Sequence, residues 1–304
     1  MQSGDVAIDC QKLTKRYRGS DIDALSNLTI HVKAGEVYGF LGPNGAGKST
    51  TIRTLMNFIQ PTAGSATILG QDIVKNSVKV KADVGYLSSD MALYDKMTGH
   101  QFLDYMGELQ PGTNKTYRQE LVKRLRPDLN KKLGNLSRGN KQKVGIIQAF
   151  MHQPKVLIMD EPSSGLDPLM QETFYDLIEE GKSRHTAVFF SSHIFSEVQK
   201  ICDRVGIIRD GKLVVERDIA EMIKDAAHTF DITFAGEPPL TKLHKLKDVT
   251  VGRHKGQDVR VHVRGKLSHF LRELSTYDVA RLDAHQLDLE EMFMRYYGSE
   301  KDEG

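Results

Sequence analysis

The segment Gly42–Thr50, GPNGAGKST, matches the pattern G-x-x-x-x-G-K-[ST] and decides the fold expected for this chain. It follows EVYGFLG, which is typical of a buried strand, and it opens STTIRTLMNFI, a helical pattern with Pro61 just beyond its end. Glycines let backbone N–H groups turn inward around phosphate oxygens, and the following helix adds its positive end. The segment therefore predicts a phosphate-binding loop between a strand and a helix.

The side chains of this loop have distinct expected roles around a nucleoside triphosphate. Lys48 is expected to reach the β- and γ-phosphates, the Ser49 hydroxyl to hold Mg²⁺, and Thr50 to touch the α-phosphate. The predicted nucleotide-binding residues of the loop are Gly42, Pro43, Asn44, Gly45, Ala46, Gly47, Lys48, Ser49 and Thr50.

Polar residues also follow two other predicted strands. KVLIMDEP is a continuous apolar run that ends in Asp160 and Glu161, and TAVFFSSH ends at His193. In a doubly wound sheet, ligands bind at the carboxyl ends of the strands. We therefore expect Asp160 to be a second Mg²⁺ ligand, Glu161 to hold the attacking water and His193 to contact the γ-phosphate and that water. Together with Lys48, Glu161 and His193 form the predicted catalytic group.

The alternation of strands and helices predicts an α/β doubly wound sheet over residues 1–220. VAIDCQKLT and ALSNLTIHV indicate strands before the loop, and residues 86–153 are helical in pattern with breaks at Pro111 and Pro127. The helix PLMQETFYDLIEEGK separates the two buried strands, and RVGIIRDGKLVVER predicts a hairpin with Asp210-Gly211 at its turn.

The pattern changes after residue 220. HTFDITFAG and DVRVHVRG alternate like half-exposed strands, KLSHFLRELS indicates a helix, and a final amphipathic segment reads LDLEEMFMRYY. These segments predict a small C-terminal α+β domain over residues 221–304.

Composition narrows the possible partners and setting of the protein. The net charge of +2 over 304 residues gives no general reason to expect a nucleic-acid partner. Cys10 and Cys202 form no CxxC pair and the sequence has no secretory signal, which favours a reducing, cytosolic setting. No apolar run approaches the roughly 18–20 residues needed to cross a bilayer. Any membrane role is therefore expected to involve a partner.

A second glycine-bearing helix start occurs far from the phosphate loop. Leu136–Asn140, LSRGN, stands immediately before an amphipathic run. Small polar residues there are typical of a helix cap, but such a helix end also attracts anions. The sequence therefore raises the question of which anion this second helix end would serve.

Five segments carry a family resemblance: GPNGAGKST, LSRGN, KVLIMDEP, SSGLD and SSH, in this order, resemble the nucleotide-binding subunit of ATP-binding cassette (ABC) transporters. The resemblance covers about residues 5–220. It implies a P-loop NTPase fold of the ABC type, with an antiparallel β subdomain and a helical subdomain at about residues 87–153. The sequence LSRGNKQK and the presence of a C-terminal domain resemble those of the subgroup that pairs with ABC-2-type export permeases.

The resemblance implies a head-to-tail dimer, of this chain or with a closely related cassette, around two ATP molecules. Each ATP would lie between the loop of one chain and LSRGN of the other, with Ser137 and Gly139 facing the γ-phosphate. Tyr17 would stack on adenine, and Asp167 in SSGLD would communicate between the two sites. A separate integral membrane permease would dock after Tyr86, which implies a cytoplasmic protein held at the inner face of the membrane.

The sequence departs from the family pattern at three positions. Ser89 stands where most relatives carry a Gln or Glu that binds Mg²⁺, so either Ser89 or the neighbouring Asp90 could bind the metal. In LSRGN, Arg138 replaces the usual glycine and Asn140 the usual glutamine. We expect activity to be retained, with Arg138 directed to solvent rather than to phosphate.

Two other functions compete with an exporter ATPase. A soluble ABC ATPase acting on ribosomes or DNA is the first, but this chain has one cassette and no sustained heptads in the roughly 90 residues between the two glycine segments. A P-loop kinase is the second, but such enzymes lack LSRGN. The cargo stays open, because the permease would choose it.

Overall fold

The chain forms two compact units in this computed structural model. They are Met1–Glu216, called the N-unit below, and Arg217–Gly304, called the C-unit. The residues that the structure describes are 6–89, 94–110, 112–225, 228–264 and 266–285.

Strands make up the sheets of both units. In chain order the strands are β1 (Val6–Arg16), β2 (Asp23–Lys33), β3 (Val37–Leu41), β4 (Ala63–Ile68), β5 (Gln71–Asp72), β6 (Val84–Leu87), β7 (Val156–Asp160), β8 (Ala187–Ser192), β9 (Arg204–Arg209), β10 (Lys212–Asp218), β11 (His228–Phe234), β12 (Val249–Lys255), β13 (Asp258–Val263) and β14 (Val279–His285). The helices are α1 (Lys48–Leu55), α2 (Ser77–Ala82), α3 (Gly99–Leu109), α4 (Lys115–Leu125), α5 (Arg138–Phe150), α6 (Pro168–Ser183), α7 (Phe195–Ile201), α8 (Ile219–Asp225), α9 (Leu240–Leu243) and α10 (Leu267–Leu274).

A six-stranded sheet in the order β10-β9-β3-β8-β7-β6 forms the centre of the N-unit. Every residue of β3, β7 and β8 is buried, as expected for continuous apolar strands covered on both faces. β3 pairs in parallel with β8 and β9, and β7 pairs in parallel with β6 and β8. The carboxyl ends of β3, β7 and β8 therefore meet at one edge of the sheet.

A second, antiparallel sheet in the order β2-β1-β4-β5 packs against the same core. Leu13, Leu28 and Ile30 from this sheet are fully buried with Phe40 of β3 and Ile52 of α1. Apolar side chains from one face of the antiparallel sheet thus fix the helix that follows the phosphate loop.

The predicted hairpin joins β9 and β10, which are neighbours in the central sheet. Its turn residues Asp210 and Gly211 both have left-handed backbone, with φ of 49° and 75°. Two successive positive φ values are those of a type I′ turn, which Asp-Gly favours. The local sequence therefore determined both the strands and the turn.

The helix after the phosphate loop is shorter than the sequence predicted. STTIRTLMNFI extends the helical pattern to residue 59, but α1 ends at Leu55. Asn57 adopts φ of 50°, and the Phe58 N–H donates to the Arg53 carbonyl at 2.9 Å. This is a Schellman ending with asparagine in the left-handed position, and it satisfies carbonyls that a longer helix would have used.

The stretch predicted to be helical over residues 86–153 contains α3, α4 and α5. The prediction was wrong for the first two residues of this stretch, which belong to a strand. Tyr86 and Leu87 end β6, whose buried residues pair in parallel with β7. α3 begins at a capping box in which Thr98 and Gln101 each bond the other's backbone. α4 ends where Arg126 turns left-handed, just before the predicted break at Pro127.

The C-unit is a four-stranded antiparallel sheet in the order β12-β13-β11-β14. Phe230 and Ile232 of β11 and Val261 of β13 pack with Phe270 of α10 in its core. β12 and β14 were not predicted. The predicted amphipathic segment LDLEEMFMRYY lies outside the described residues.

Candidate nucleotide-binding site

The phosphate loop joins β3 to α1 in a conformation that depends on glycine. Gly45 and Gly47 have φ of 83° and 111°, where L side chains are strained. A Cβ on Gly42 would lie 2.5 Å from the Ile208 carbonyl oxygen, and one on Gly47 would lie 2.8 Å from that of Ala24. Apart from its chain neighbours, no described residue has an atom within 4 Å of the Cβ position of Gly45. The loop is thus held tightly on its inner side and open at its tip.

Lys48 begins α1 and folds back over the loop. Its Nζ donates to the carbonyls of Gly42 at 2.6 Å and Pro43 at 3.0 Å, and it lies 3.9 Å from Oε1 of Glu161. Burial lowers the pKa of Lys48, while Glu161 and Asp160 oppose that shift. A buried ammonium that bonds two loop carbonyls is well suited to take a phosphate oxygen instead.

Asp160 lies at the carboxyl end of β7 and is 4% exposed. Its Oδ1 accepts a hydrogen bond from Ser191 Oγ at 2.5 Å, and its Oδ2 accepts one from Ser89 Oγ at 3.1 Å. The structure thus places Ser89, which differs from the family pattern, beside Asp160, the predicted Mg²⁺ ligand. Asp90, the alternative ligand, lies outside the described residues.

Glu161 leaves the strand through a left-handed backbone, with φ of 48°. Such a conformation costs a non-glycine residue about 1–3 kcal/mol and is often found at functional sites. The Glu161 N–H donates to the Ser191 carbonyl at 3.1 Å, and Oε1 lies 3.0 Å from Nδ1 of His193. The turn therefore pairs Glu161 with His193 at the same sheet edge.

Tyr17 directly follows β1 and lies beside the start of α1. Its hydroxyl lies 3.4 Å from Thr50 Oγ1, the residue is 41% exposed, and Lys15 Nζ lies 5.6 Å from the ring centroid. An exposed aromatic face next to the phosphate loop can stack on a base.

The segment LSRGN forms the start of α5, as predicted. Ser137 is the N-cap, and its exposed hydroxyl accepts from the Asn140 backbone at 3.4 Å and side chain at 3.3 Å. A Cβ on Gly139 would lie 2.5 Å from the Gly165 carbonyl oxygen, so the position requires glycine. Ser137 makes no hydrogen bond to the phosphate loop within the described part of the chain.

Arg138 is exposed, as expected, but it is not simply solvated. Its Nη2 donates to Ser164 Oγ at 2.7 Å, in the segment SSGLD. Asp167 ends that segment as the N-cap of α6 and accepts from the Met170 N–H at 3.0 Å. Asp167 therefore has a clear role in this chain as a helix cap.

Sequence reasoning missed two residues of the site, Ser191 and Glu197. Ser191 binds Asp160 because β7 and β8 align these residues as direct partners. Glu197 of α7 is 8% exposed and accepts hydrogen bonds from the hydroxyls of Ser163 and Ser192. The only sequence signal was the pair of serines before His193, which indicated a polar strand end. It did not identify Asp160 or Glu197 as the residues that these serines contact.

Comparison with known proteins finds similarity to ABC transporter ATP-binding proteins. Residues 25–164 match the family model described as ABC transporter. The chain is 33% identical over 297 residues to the bacitracin transport ATP-binding protein BcrA of Bacillus licheniformis, covering 94% of this chain and 95% of BcrA. It is 36% identical over 220 residues to the ABC transporter ATP-binding protein NatA of Bacillus subtilis, covering 70% of this chain and 89% of NatA.

Solved structures agree with these relatives. An ATP-binding subunit of an ABC transporter aligns with a TM-score of 0.66 at 26% identity, over 71% of this chain and 91% of that one. A dimeric bacterial ABC transporter cassette aligns with a TM-score of 0.64 at 23% identity, over 70% of this chain and 98% of that one. The predicted P-loop NTPase fold of the ABC type is confirmed. Among the described residues, no helix is both long and apolar enough to span a membrane.

Proposed function

The chain belongs to the ABC transporter family as an ATP-binding and ATP-hydrolysing subunit, and we propose that Lys48, Asp160 and Glu161 surround the reacting phosphate. The observation that carries this proposal is their convergence at one sheet edge. Lys48 Nζ lies 3.9 Å from Glu161, whose carboxylate is paired with His193. A lysine near the phosphates, a metal-binding carboxylate and a group that orients the attacking water recur in sites of phosphoryl transfer from ATP.

Glu161 and His193 act on the attacking water in this proposal. The hydrogen bond between Nδ1 of His193 and Oε1 of Glu161 fixes the carboxylate and leaves Oε2 for a water in line with the γ-phosphate. The second ring nitrogen of His193 then bonds the γ-phosphate. Lys48 exchanges its two loop carbonyls for phosphate oxygens and offsets the charge that develops on them.

The remaining residues of the loop hold the nucleotide. The positive φ values at Gly45 and Gly47 suit a concave arrangement of backbone N–H groups around the triphosphate. Thr50 contacts the α-phosphate and Tyr17, 3.4 Å from it, stacks on adenine. The loop residues that surround the phosphates are Gly42, Pro43, Asn44, Gly45, Ala46 and Gly47, of which Pro43 has no backbone N–H to donate.

Mg²⁺ fits the oxygen donors at the end of β7. Asp160 is a buried carboxylate bonded to two serine hydroxyls, a set of hard oxygen ligands of the kind that Mg²⁺ prefers. Ser49, Asp160 and Ser89, the last directly or through water, would hold the ion. When bound, Mg²⁺ would neutralise charge on the phosphate oxygens.

Two copies of the chain, or this chain and a closely related cassette, close head to tail around two ATP molecules. Ser137 and Gly139 meet the γ-phosphate held by the other copy, and Asp167 lies in the segment between the two sites. The α5 dipole contributes only about 0.3–2 kcal/mol to each contact. Closure therefore also draws on both nucleotides and on buried protein surface, and hydrolysis reverses it.

The output passes to a separate ABC-2-type membrane permease, which keeps the protein at the cytoplasmic face of the membrane. Exposed apolar side chains on and near α3 support docking in the helical region. Tyr94 and Leu109 are 52% and 58% exposed, and the ring of Tyr94 lies 5.7 Å from that of Tyr105. Nucleic acid has no part in this proposal. Isolation from native membranes, followed by identification of the co-purifying integral membrane protein, tests the partner.

Glu161→Gln tests the catalytic and dimeric parts together. The amide keeps the size of the side chain but holds the water poorly, so phosphate release should fall about 100-fold or more while ATP-dependent dimers accumulate. The measurements are phosphate release and size-exclusion light scattering at saturating ATP and Mg²⁺. Glu108→Gln, the same change on the exposed face of α3, is the matched control. Unchanged phosphate release would contradict the role of Glu161, and monomers under these conditions would contradict the dimer.

A further inference from the structure

The start of α5 is fastened to the segment Ser163–Asp167 by Arg138. Its Nη2 donates to Ser164 Oγ at 2.7 Å. The aliphatic part of Arg138 covers Gly165, since a Cβ built there would lie 3.3 Å from Arg138 Cγ and 3.4 Å from Cδ. Gly165 itself is left-handed, with φ of 82°. A planar guanidinium at the end of a packed stem is suited to hold two segments in one geometry.

The two backbones beneath Arg138 are already in close contact. A Cβ on Gly139 would approach the Gly165 carbonyl oxygen to 2.5 Å, which real side chains do not do. Arg138 thus lies across a glycine-to-glycine contact. A movement of the start of α5 is therefore expected to carry this segment with it.

The other serine of the segment leads to the catalytic pair. Ser163 donates to Glu197, which also accepts from Ser192 Oγ at 2.8 Å. Ser192 directly precedes His193, and His193 bonds Glu161 at 3.0 Å. Because Glu197 is only 8% exposed, its two serine contacts are largely shielded from bulk water.

We propose that Arg138 is a positioning residue that couples the start of α5 to the Glu161–His193 pair of its own chain. In a head-to-tail dimer, α5 serves one ATP while Glu161 and His193 act on the other. Contact of α5 with the partner's nucleotide would then set the catalytic pair through Ser164, Ser163 and Glu197. This inference rests on the proposed function, and it gives Arg138 a role that a glycine could not have.

A double-mutant cycle of Arg138→Ala and Ser164→Ala in the full-length protein tests the coupling. Each change should lower kcat about two- to fivefold, the range of one exposed charged contact, and the double variant should lose no more than either single. The Hill coefficient for ATP should fall toward one in all three variants. Binding of a fluorescent ATP analogue to the monomer should not change. Lys143→Ala, which removes a charge from the same helix, is the control. Ser164→Thr keeps the hydroxyl and should therefore retain the wild-type kcat and Hill coefficient.

Three outcomes would overturn the proposal. Additive losses would show that the two residues act separately. A silent Ser164→Ala beside an impaired Arg138→Ala would show that the guanidinium acts on phosphate directly. An unchanged Hill coefficient would reduce the contact to a structural one. If Glu161→Gln alone forms no ATP-dependent dimer, the proposed function falls and this inference falls with it; if dimers form and the cycle is additive, only this inference falls.

Discussion

The carboxyl end of β7 and the start of α5 each carry polar side chains from a short motif. They differ in how fully those side chains are hydrogen-bonded within one chain. At β7, Asp160 is 4% exposed and both its oxygens accept from serines of the same chain. At α5, Ser137 is exposed and, among the described residues, its hydroxyl bonds only Asn140. Buried polar groups are nearly always paired within the fold, whereas exposed ones can await a ligand or partner.

The difference separates the two kinds of damage that a substitution can cause. A change at the end of β7 disturbs groups that already hold each other in one chain, so it should impair hydrolysis. At the start of α5, the Ser137 hydroxyl bonds only Asn140 among the described residues, so a change of the Ser137 side chain should act where two chains meet. Each prediction below tests one side of that contrast.

The largest effect is expected at Lys48. Lys48→Met keeps most of the volume of the side chain but removes the cation that lies 3.9 Å from Glu161. Removing one preorganised charge from a transition state costs about 100- to 1,000-fold in kcat, and phosphate release measures it. Lys123→Met, on the exposed face of α4, is the control and should retain full activity. Retention of more than a tenth of the activity by Lys48→Met would remove Lys48 from the catalytic group.

Mixing two inactive variants tests the contrast between the regions directly. Lys48→Met damages the phosphate loop, and Ser137→Phe places a bulky ring where α5 would meet a nucleotide. In a head-to-tail dimer of one chain of each kind, one site combines an intact loop with an intact α5 start. An equal mixture should therefore regain up to about a quarter of wild-type phosphate release, since half the dimers are mixed and each has one sound site.

The mixture also has a clear negative result. If Ser137 served the nucleotide of its own chain, no mixed dimer would contain an intact site, and the activity would equal the average of the two variants alone. Each variant paired with wild type controls for subunit exchange.

The sequence predicted those parts of the site that lie within one continuous segment. The phosphate loop, Asp160 and Glu161 each belong to a strand followed by a turn, and local pattern is enough to place them. The type I′ hairpin at Asp210-Gly211 was predicted for the same reason. The end of α1 was missed because the helical pattern continues past Asn57, and only the left-handed backbone of Asn57 stops the helix.

Ser191 and Glu197 could not be found in this way. Ser191 meets Asp160, 31 residues away in sequence, because of the register between two parallel strands. Glu197 meets Ser163, 34 residues away, because α7 returns beside the segment after β7. Neither α7 nor these contacts were predicted, since a buried polar pair leaves no periodic trace in either partner's own segment.

The smallest predicted effect compares the two serines on Asp160. Ser191→Ala should lower kcat about tenfold, because Ser191 is fully buried, donates at 2.5 Å and leaves a buried carboxylate oxygen without its donor. Ser89→Ala should lower it only about threefold, because Ser89 is half-buried and water can replace a donor at 3.1 Å. Ser89→Ala should also raise the Mg²⁺ concentration for half-maximal phosphate release, and Ser89→Gln should lower it. Ser183→Ala, at the exposed end of α6, is the control.

The order of the two effects matters more than their size. If Ser89 binds the metal, the Mg²⁺ requirement moves with Ser89 and much less with Ser191, although both hydroxyls touch the same carboxylate. Equal shifts in the two variants would mean that both serines only orient Asp160. An unchanged Mg²⁺ requirement in Ser89→Ala and Ser89→Gln would exclude Ser89 from the metal's ligands. The ion would then be held by Asp160 at the end of β7 and by Ser49 of α1, both in the same chain. The contrast between the end of β7 and the start of α5 would remain, but it would no longer include Ser89.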